Sequence, residues 1–256
     1  MTLLIDAGNS AVKWAVLAAD GSFSASGRAL HRDGTDVAHA LISGWPPLPR
    51  STRAIGCSVA SAAVMRAVEG AALARGVAGV EWLRSQPAFA GSVSLVNGYR
   101  DPQQLGADRW HALLGACALC PSTSLVVVNA GTATTVDCLR AAGGEALFVG
   151  GCIAPGVRLM LESLARGTAG LPLAQGNSAD FPDTTDKAIV TGVFDAQVGL
   201  VERVTRRFAE SLGHVPRLVL AGGHAEMLAA RLPAEFAPLI EHNLVLRGLA
   251  LRASSR

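Results

Sequence analysis

One stretch near the start of the chain sets a carboxylate beside a small flexible turn between two apolar runs. It reads Asp6-Ala7-Gly8-Asn9-Ser10-Ala11-Val12-Lys13 and follows the apolar run at residues 3–5. The Gly8-Asn9 pair predicts a hairpin turn, because both residue types tolerate positive φ. Backbone N–H groups of such a turn form an anion-binding concavity, and Ser10 and Lys13 can add donors to it. A carboxylate at the strand end, beside bound phosphate, indicates that Mg²⁺ binds between Asp6 and the phosphates.

A second stretch, residues 126–137, repeats this plan with Asn129 in the place of the acid and Thr132 after the Ala130-Gly131 turn. Each stretch is followed by a further turn, at Asp20-Gly21 and at Gly143-Gly144. One such stretch alone is typical of an ordinary glycine-containing hairpin. Two of one design, more than a hundred residues apart, favour a duplicated fold that binds polyphosphate between two turns.

A third candidate site lies at the start of a predicted helix that runs to Cys120. Asp108 falls in the first helical turn, where an acid is favourable as a cap and at the positive end of the helix dipole. Arg109 in the same turn is unfavourable by that argument, so a second reason for it, such as binding an anion, is needed. The residues leave two interpretations open. Asp108 either caps the helix, or it is a base beside Arg109, which would hold an anionic substrate.

Composition limits the classes of protein to which the chain can belong. The chain has 256 residues, 50% of them hydrophobic, and a formal net charge of +2. The net charge is close to zero, and the sequence contains no basic run with interleaved aromatic residues. A nucleic-acid partner therefore has no support. The N-terminus does not resemble a signal peptide. Residues 110–136 carry no Asp, Glu, Lys or Arg, but Pro121 and the 129–132 turn interrupt them, which predicts a helix and a strand rather than a membrane span.

Cysteine usage indicates the cytoplasm, because five cysteines is an odd number and the chain shows no export signal. Cys117 and Cys120 have CxxC spacing at the end of an apolar helical pattern, with no second pair. We interpret them as core residues rather than zinc ligands or a redox pair. Cys57 and Ser58 have no paired base near them in sequence, so nucleophilic catalysis has no support.

The hydrophobic pattern predicts an α/β chain. Three strands are expected within residues 2–30, a second hairpin unit at 125–150, further strands at 53–57, 80–83 and 217–220, a strand with loop at 86–98, and helices at 61–75, 108–120, 157–166, 185–212, after 225 and at 243–253. Residues 31–50 and 167–184 are expected to be irregular. The Ala221-Gly222-Gly223-His224 turn could approach a ligand closely or be a plain strand-to-helix turn. No P-loop, G-x-G-x-x-G or protein-kinase signature is present.

Three motifs resemble type III pantothenate kinase, a family of the actin-like ATPase superfamily that includes acetate and sugar kinases. They are the Asp6–Lys13 stretch, the string Tyr99-x-x-Pro102-x-x-Leu105-Gly106-Ala107-Asp108-Arg109, and the stretch Ala130-Gly131-Thr132-Ala133-Thr134-Thr135-Val136-Asp137. The resemblance spans essentially the whole chain. It implies two duplicated RNase H-like halves, here 1–120 and 121–256, each a mixed sheet flanked by helices.

The resemblance also implies a function, the phosphorylation of pantothenate by ATP with Mg²⁺, the first step of coenzyme A biosynthesis. It assigns ATP binding to Asp6, Ala7, Gly8, Asn9, Ser10, Ala11, Val12, Lys13 and Thr132. It assigns the pantothenate pocket to Tyr99, Gly106, Ala107, Asp108, Arg109 and Thr185, with Asp108 as catalytic base. It further implies a homodimer with the active site near the interface.

One position departs from the family pattern. Many members have Asp where this chain has Asn129, and that Asp is linked to a monovalent cation such as K⁺ or NH₄⁺. Asn keeps a carbonyl oxygen as a ligand but loses the charge, so the sequence leaves open whether a cation binds at residue 129.

Two other functions fit parts of the sequence. One is a kinase of the same superfamily that acts on a sugar or a short carboxylic acid, although the Tyr99–Arg109 string argues against it. The other is a non-catalytic regulatory or transcriptional accessory protein that keeps the nucleotide-binding fold. The presence of Asp6, Lys13, Asp108 and Arg109 argues against a loss of chemistry.

Overall fold

The computed structural model describes residues 1–31 and 36–254. The strands are β1 Thr2–Ala7, β2 Ala11–Leu17, β3 Phe23–Leu30, β4 Arg53–Ser58, β5 Val80–Trp82, β6 Ala88–Ala90, β7 Ser94–Asn97, β8 Leu125–Ala130, β9 Ala133–Ala142, β10 Glu145–Pro155, β11 Arg217–Ala221 and β12 Leu239–Ile240. The helices are α1 Val37–Gly44, α2 Ala62–Ala74, α3 Ala107–Leu119, α4 Val157–Gly167, α5 Thr185–Leu212, α6 Ala225–Ala229 and α7 Leu244–Ser254.

The chain folds into two compact units. The first unit is Met1–Pro121 together with the described residues from Asn243 on, and the second unit is Ser122–His242. The tail that forms α7 therefore belongs with the N-terminal residues. The division into halves 1–120 and 121–256 remains a prediction.

The sheet of the first unit has the strand order β3-β2-β1-β4-β5. β1, β2 and β3 form an antiparallel meander, and β4 and β5 continue the sheet in parallel with β1. Alternate residues of β1, including Leu3 and Ile5, pack into a core that also contains Val64 and Val68 of α2. Because strand side chains alternate between the two faces, Leu4 and Asp6 lie on the opposite face.

The five strands of the second unit follow the order β10-β9-β8-β11-β12. β8, β9 and β10 form an antiparallel meander, and β11 and β12 continue in parallel with β8. This is the topology of the first sheet, so the predicted duplicated α/β fold is confirmed. The core of this unit lies between the sheet and α5, whose buried residues include Val193, Val201 and Phe208.

The α3 and α7 helices cross closely in the first unit. A Cβ atom on Gly115 would collide with the carbonyl oxygen of Leu244, and one on Gly248 would collide with the carbonyl oxygen of His111. Each helix therefore presents a glycine to the backbone of the other. This crossing fixes α3, the helix that begins with Ala107 and Asp108.

One expectation from the sequence is wrong, and one predicted hairpin forms without the conformation that its residue types tolerate. Residues 37–44, predicted to be irregular, form α1, because Val37 and Leu41 are one helical turn apart and both are buried. Residues 32–35, part of the same expectation, lie outside the described residues. Gly8 and Asn9 are absent from the described positions with positive φ, whereas Gly21, Gly143 and Gly144 do adopt it. The first hairpin is present, but it turns without the left-handed conformation.

None of the described helices is long and apolar enough to span a membrane. All five cysteines are free, and Cys117 and Cys120 are buried as predicted for core residues. Burial raises the pKa of the Cys117 thiol to about 12.

Candidate active site

Three polar side chains meet at the end of β1. Asp6 pairs with Lys13 on the neighbouring strand β2 and with Cys57 on β4. Paired residues on neighbouring strands project to the same face of a sheet. The Cys57 thiol is fully buried and lies 3.9 Å from Oδ1 of Asp6, to which it donates. The carboxylate is therefore held between a cation and a neutral donor.

The pKa of Asp6 is raised from 3.8 to about 7. Burial is the largest cause, the charge of Asp108 raises it further, and Lys13 and the Cys57 thiol act in the opposite direction. A carboxylate held where its own charge is disfavoured is a site at which a cation would be stabilised. Carboxylate oxygen is also the ligand type that Mg²⁺ prefers, so Asp6 fits the chemistry of a magnesium ligand.

Asp108 occupies the first turn of α3, where its Oδ1 accepts a hydrogen bond from the Arg109 backbone N–H at 2.8 Å. A Cβ atom on Gly106, the residue at the N-cap position, would lie 2.7 Å from the same oxygen. Glycine at 106 thus leaves room for this carboxylate at the helix start. Burial raises the pKa of Asp108, and the hydrogen bond and the charge from Arg109 counteract this shift.

The Arg109 side chain is buried, with only 5% of its surface exposed. Its Nη1 donates to the hydroxyl of Tyr99 at 3.2 Å, and its guanidinium carbon lies 5.8 Å from the centre of the Tyr99 ring. Tyr99 is in turn fixed by its neighbour, because the Tyr99 backbone N–H donates to Oδ1 of Asn97 at 3.1 Å. Tyr99, Asp108 and Arg109, predicted together from the sequence, thus form one cluster in the first unit.

Only part of the predicted phosphate loop can contact a ligand through side chains. Ala7 and Val12 are a strand pair and both are fully buried in the core. The turn itself is closed by the Gly8 N–H, which donates to the carbonyl of Ala11 at 3.0 Å. Any contribution from Ala7 and Val12 is therefore structural, as is that of the Gly8 N–H, and the loop offers Asn9, Ser10 and Ala11 to a ligand.

The turn of the second unit is enclosed by two glycines. The Gly131 N–H closes it by donating to the Ala133 carbonyl at 3.1 Å, and the Thr132 carbonyl accepts from the Gly156 N–H at 3.0 Å. A Cβ on Gly156 would collide with the Gly131 carbonyl, and one on Gly222, at φ +96°, would collide with the Ala130 carbonyl. The Gly222 turn thus serves close packing against the backbone of this hairpin.

A buried glutamine supports the same turn. Gln197 of α5 has 1% of its surface exposed; its Oε1 accepts from the Thr134 hydroxyl at 2.5 Å, and its Nε2 donates to the Pro155 carbonyl at 2.9 Å. Thr134 and Pro155 flank the Thr132 turn on β9 and β10. Gln197 therefore fixes both strands at the point where the turn begins.

Asn129 and Thr185 also belong to the second unit. Asn129 is partly buried at the end of β8 and pairs with Thr135 and Ala221. Thr185 is exposed at the first position of α5, and its neighbour Thr184 is the N-cap, whose hydroxyl accepts from the Lys187 N–H at 3.4 Å. The helix start thus assigns a structural role to Thr184 and leaves Thr185 available to a ligand.

Sequence reasoning missed three residues that support these sites: Cys57, Gln197 and His31. Cys57 reaches Asp6 only because β4 pairs in parallel with β1, a contact between residues 51 positions apart. The ring Nε2 of His31 lies 3.0 Å from the Gly8 carbonyl oxygen. The sequence carries a local signal for none of them, since each acts across a long stretch of chain.

The fold and the site together define a class. Two sheets of one topology, each with an Asp or Asn followed by Ala-Gly at the end of its first strand, form the actin-like ATPase fold found in sugar kinases. A solved structure of the same fold is the activator of 2-hydroxyisocaproyl-CoA dehydratase from Clostridium difficile with bound ADPNP. It aligns with a TM-score of 0.53 over 98% of this chain and 93% of that chain. At 12% identity, this likeness shows the fold alone.

Sequence comparison narrows the class to a family. The family model of type III pantothenate kinase matches residues 2–207. A relative named type III pantothenate kinase from Aromatoleum aromaticum is 42% identical over 99% of this chain and 98% of its own length. Another of that name, from Laribacter hongkongensis, is 42% identical over 98% of this chain and 97% of its own length. The chain belongs to the type III pantothenate kinase family.

Proposed function

We propose that Asp108 is the general base of this chain. As a member of the type III pantothenate kinase family, the chain transfers the γ-phosphoryl group of ATP to the hydroxyl of pantothenate. The observation that carries this proposal is the proximity of Asp108 to Asp6. Asp6 is suited to binding magnesium and Asp108 to accepting a proton. The two carboxylates lie close enough for the charge of Asp108 to raise the pKa of Asp6. Family membership supplies the substrate pair, and this geometry supports the choice of residues.

The nucleotide would be held from the loop of the first unit. The N–H groups of residues 9–11 and the ammonium group of Lys13 are donors of the type that bind phosphate oxygens. Asp6 would hold the magnesium ion, which when bound neutralises the charge of the phosphates. Thr132 is the corresponding residue of the second hairpin, and we assign it a further contact with the nucleotide.

The acceptor would be held by the cluster that contains Tyr99, Asp108 and Arg109. Pantothenate carries a carboxylate and a primary hydroxyl, and a guanidinium group suits a carboxylate in charge and shape. Asp108 would orient the hydroxyl and take its proton at a carboxylate oxygen. The new oxygen–phosphorus bond forms as the bond between the γ-phosphorus and the bridging oxygen of ATP breaks, and ADP leaves. Gly106 and Ala107 contribute their backbone at the start of α3, and Thr185 is a further proposed contact.

The raised pKa of Asp108 suits this role. A carboxylate of normal pKa is a weak base, and burial strengthens it towards the working pH. The transition state of phosphoryl transfer is loose, so the hydroxyl needs little early deprotonation. Positioning of the hydroxyl by Asp108 and neutralisation of charge would then supply most of the acceleration.

Three further features belong to the same proposal. The enzyme would be a homodimer with its active site near the interface, as the family resemblance implies. It would work in the cytoplasm, in keeping with five free cysteines. It would use K⁺ or NH₄⁺, for which Asn129 offers a neutral carbonyl oxygen.

A direct test measures release of ADP from MgATP with pantothenate, with a panel of sugars and short carboxylic acids, and without acceptor. Turnover that depends on pantothenate supports the proposal. Turnover only with another acceptor would assign a different kinase activity. Binding of MgATP without turnover on any acceptor would favour a regulatory protein that keeps the fold.

The cation is tested by comparing K⁺, NH₄⁺ and Na⁺ buffers for the natural chain and for Asn129→Asp. If residue 129 is a ligand, the added charge should lower the K⁺ concentration needed for half-maximal rate. An identical K⁺ response in both proteins would place the cation elsewhere.

A further inference from the structure

His31 directly follows β3 and makes two hydrogen bonds to the first hairpin loop. Its backbone N–H donates to the Ser10 carbonyl at 3.0 Å, and its ring Nε2 lies 3.0 Å from the Gly8 carbonyl oxygen. A carbonyl oxygen can only accept, so Nε2 carries a proton in this contact. Both of these loop carbonyls are thereby bound to one residue.

The two bonds determine where the loop N–H groups point. In a trans peptide the C=O and N–H bonds of one peptide unit point in opposite directions. Because the Gly8 carbonyl points to the His31 ring, the Asn9 N–H points away from it. The Ser10 carbonyl likewise turns the Ala11 N–H away from the His31 backbone. Both N–H groups are thus presented on the side of the loop remote from His31.

The ring is held in this position at a cost. Its Nδ1 atom is buried and has no hydrogen-bond partner among the described residues. A buried polar atom without a partner is destabilising, so the Nε2 contact is the interaction that offsets this placement.

We propose that His31 is a positioning residue for the phosphates of the nucleotide. It orients the Asn9 and Ala11 N–H groups so that the loop can bind polyphosphate without rearranging. The inference rests on the proposed function, because it takes this loop as the phosphate site. It adds a residue that lies outside the motifs of the family resemblance and that is not proposed to touch the substrate.

Three substitutions separate the hydrogen bond from the bulk of the ring. His31→Gln places an amide N–H near the position of Nε2, His31→Asn places it near Nδ1, and His31→Phe keeps a ring without a donor. His39, which is exposed on α1, offers matched controls as His39→Gln and His39→Phe. The affinity for a non-hydrolysable ATP analogue with Mg²⁺ is measured by calorimetry, alongside kcat, both KM values and Tm.

We expect His31→Phe and His31→Asn to weaken analogue binding and raise the KM for MgATP by about 3- to 10-fold, the effect of one hydrogen bond. His31→Gln should restore most of the affinity, and kcat and the KM for pantothenate should change little. The His39 variants should match the natural chain.

Two results would overturn the inference. One is unchanged analogue affinity in His31→Phe. The other is an equal loss of affinity in all three His31 variants, which would mean that the donor at Nε2 is not what matters. Failure of the proposed function is distinguishable, since the natural chain would then bind the analogue with the same His31 dependence but show no pantothenate-dependent turnover.

Discussion

The Asp6 carboxylate lies opposite Lys13 across the β1–β2 ladder, and it receives the Cys57 thiol from β4. Despite the cation, the net effect on the pKa of Asp6 is a rise to about 7, because burial outweighs the attraction to Lys13. The charge on this carboxylate is therefore unfavourable until a further cation arrives. That property suits a residue that binds the magnesium of an incoming nucleotide.

The raised pKa of Asp6 predicts a pH-dependent effect of Asp6→Asn on stability. An acid with a higher pKa in the folded state gives stability that is present at low pH and is lost as pH rises from about 4 to about 7. Asparagine resembles the protonated acid at every pH. We expect Asp6→Asn to raise Tm at pH 8 by at least about 2–4 °C, the change that about 1 kcal/mol produces in a chain of this size.

Thermal unfolding at pH 5, 6, 7 and 8 measures this effect, and the gain in Tm should grow with pH while activity is lost. Asp101→Asn is the matched control, because Asp101 is exposed and caps the turn Pro102–Gln104, a role that asparagine also fills. A lower Tm for Asp6→Asn at pH 8 would mean that Lys13 and Cys57 stabilise the charged form.

The close crossing of α3 and α7 predicts that Gly248→Ala is destabilising. The new methyl group would collide with the His111 carbonyl, and such overpacking lowers the free energy of unfolding by about 1–3 kcal/mol. Gly70→Ala is a suitable control, since Gly70 is exposed on α2 with open space around it. That substitution should raise the free energy of unfolding by about 0.5–1 kcal/mol. Urea unfolding compares the two, and equal effects would contradict the crossing.

The buried contact between Thr134 and Gln197 predicts a coupled effect. Thr134→Val leaves the Gln197 Oε1 without that donor, which should lower the free energy of unfolding by about 1–3 kcal/mol. Once Gln197→Met has removed the acceptor, Thr134→Val should cost less. A double-mutant cycle by urea unfolding measures the coupling. Strictly additive losses would show that the bond contributes nothing of its own.

The sequence predicted most of the strands and helices, because hydrophobic period and turn residues are local signals. The roles of the site residues, which the family resemblance implies, stay predictions. Sequence reasoning missed α1, which lies in the stretch 31–50 that was expected to be irregular. The pair Val37 and Leu41, one helical turn apart, was the signal for this helix. The sequence predicted the first hairpin from two residue types that tolerate positive φ, but neither Gly8 nor Asn9 adopts it, and the turn closes through a bond from the Gly8 N–H to the Ala11 carbonyl.

The contacts that support the site could not be predicted from local sequence patterns. His31 reaches Gly8 across 23 positions, and Gln197 reaches Thr134 across 63. Both depend on how strands and helices pack rather than on a motif. Asp108 shows the intermediate case: its place at a helix start was predictable, but its influence on Asp6 follows only from the tertiary fold.

In the proposed mechanism, Asp108 acts on the acceptor hydroxyl rather than on the nucleotide. The most direct measurement compares Asp108→Asn with the natural chain and with Asp101→Asn, using pantothenate-dependent ADP release and calorimetry of a non-hydrolysable ATP analogue with Mg²⁺. A positioned base contributes about 10²–10⁴-fold, so kcat should fall by that factor in Asp108→Asn alone while analogue affinity stays nearly the same. An unchanged kcat, or a loss of nucleotide affinity as large as the loss of kcat, would contradict the role assigned to Asp108.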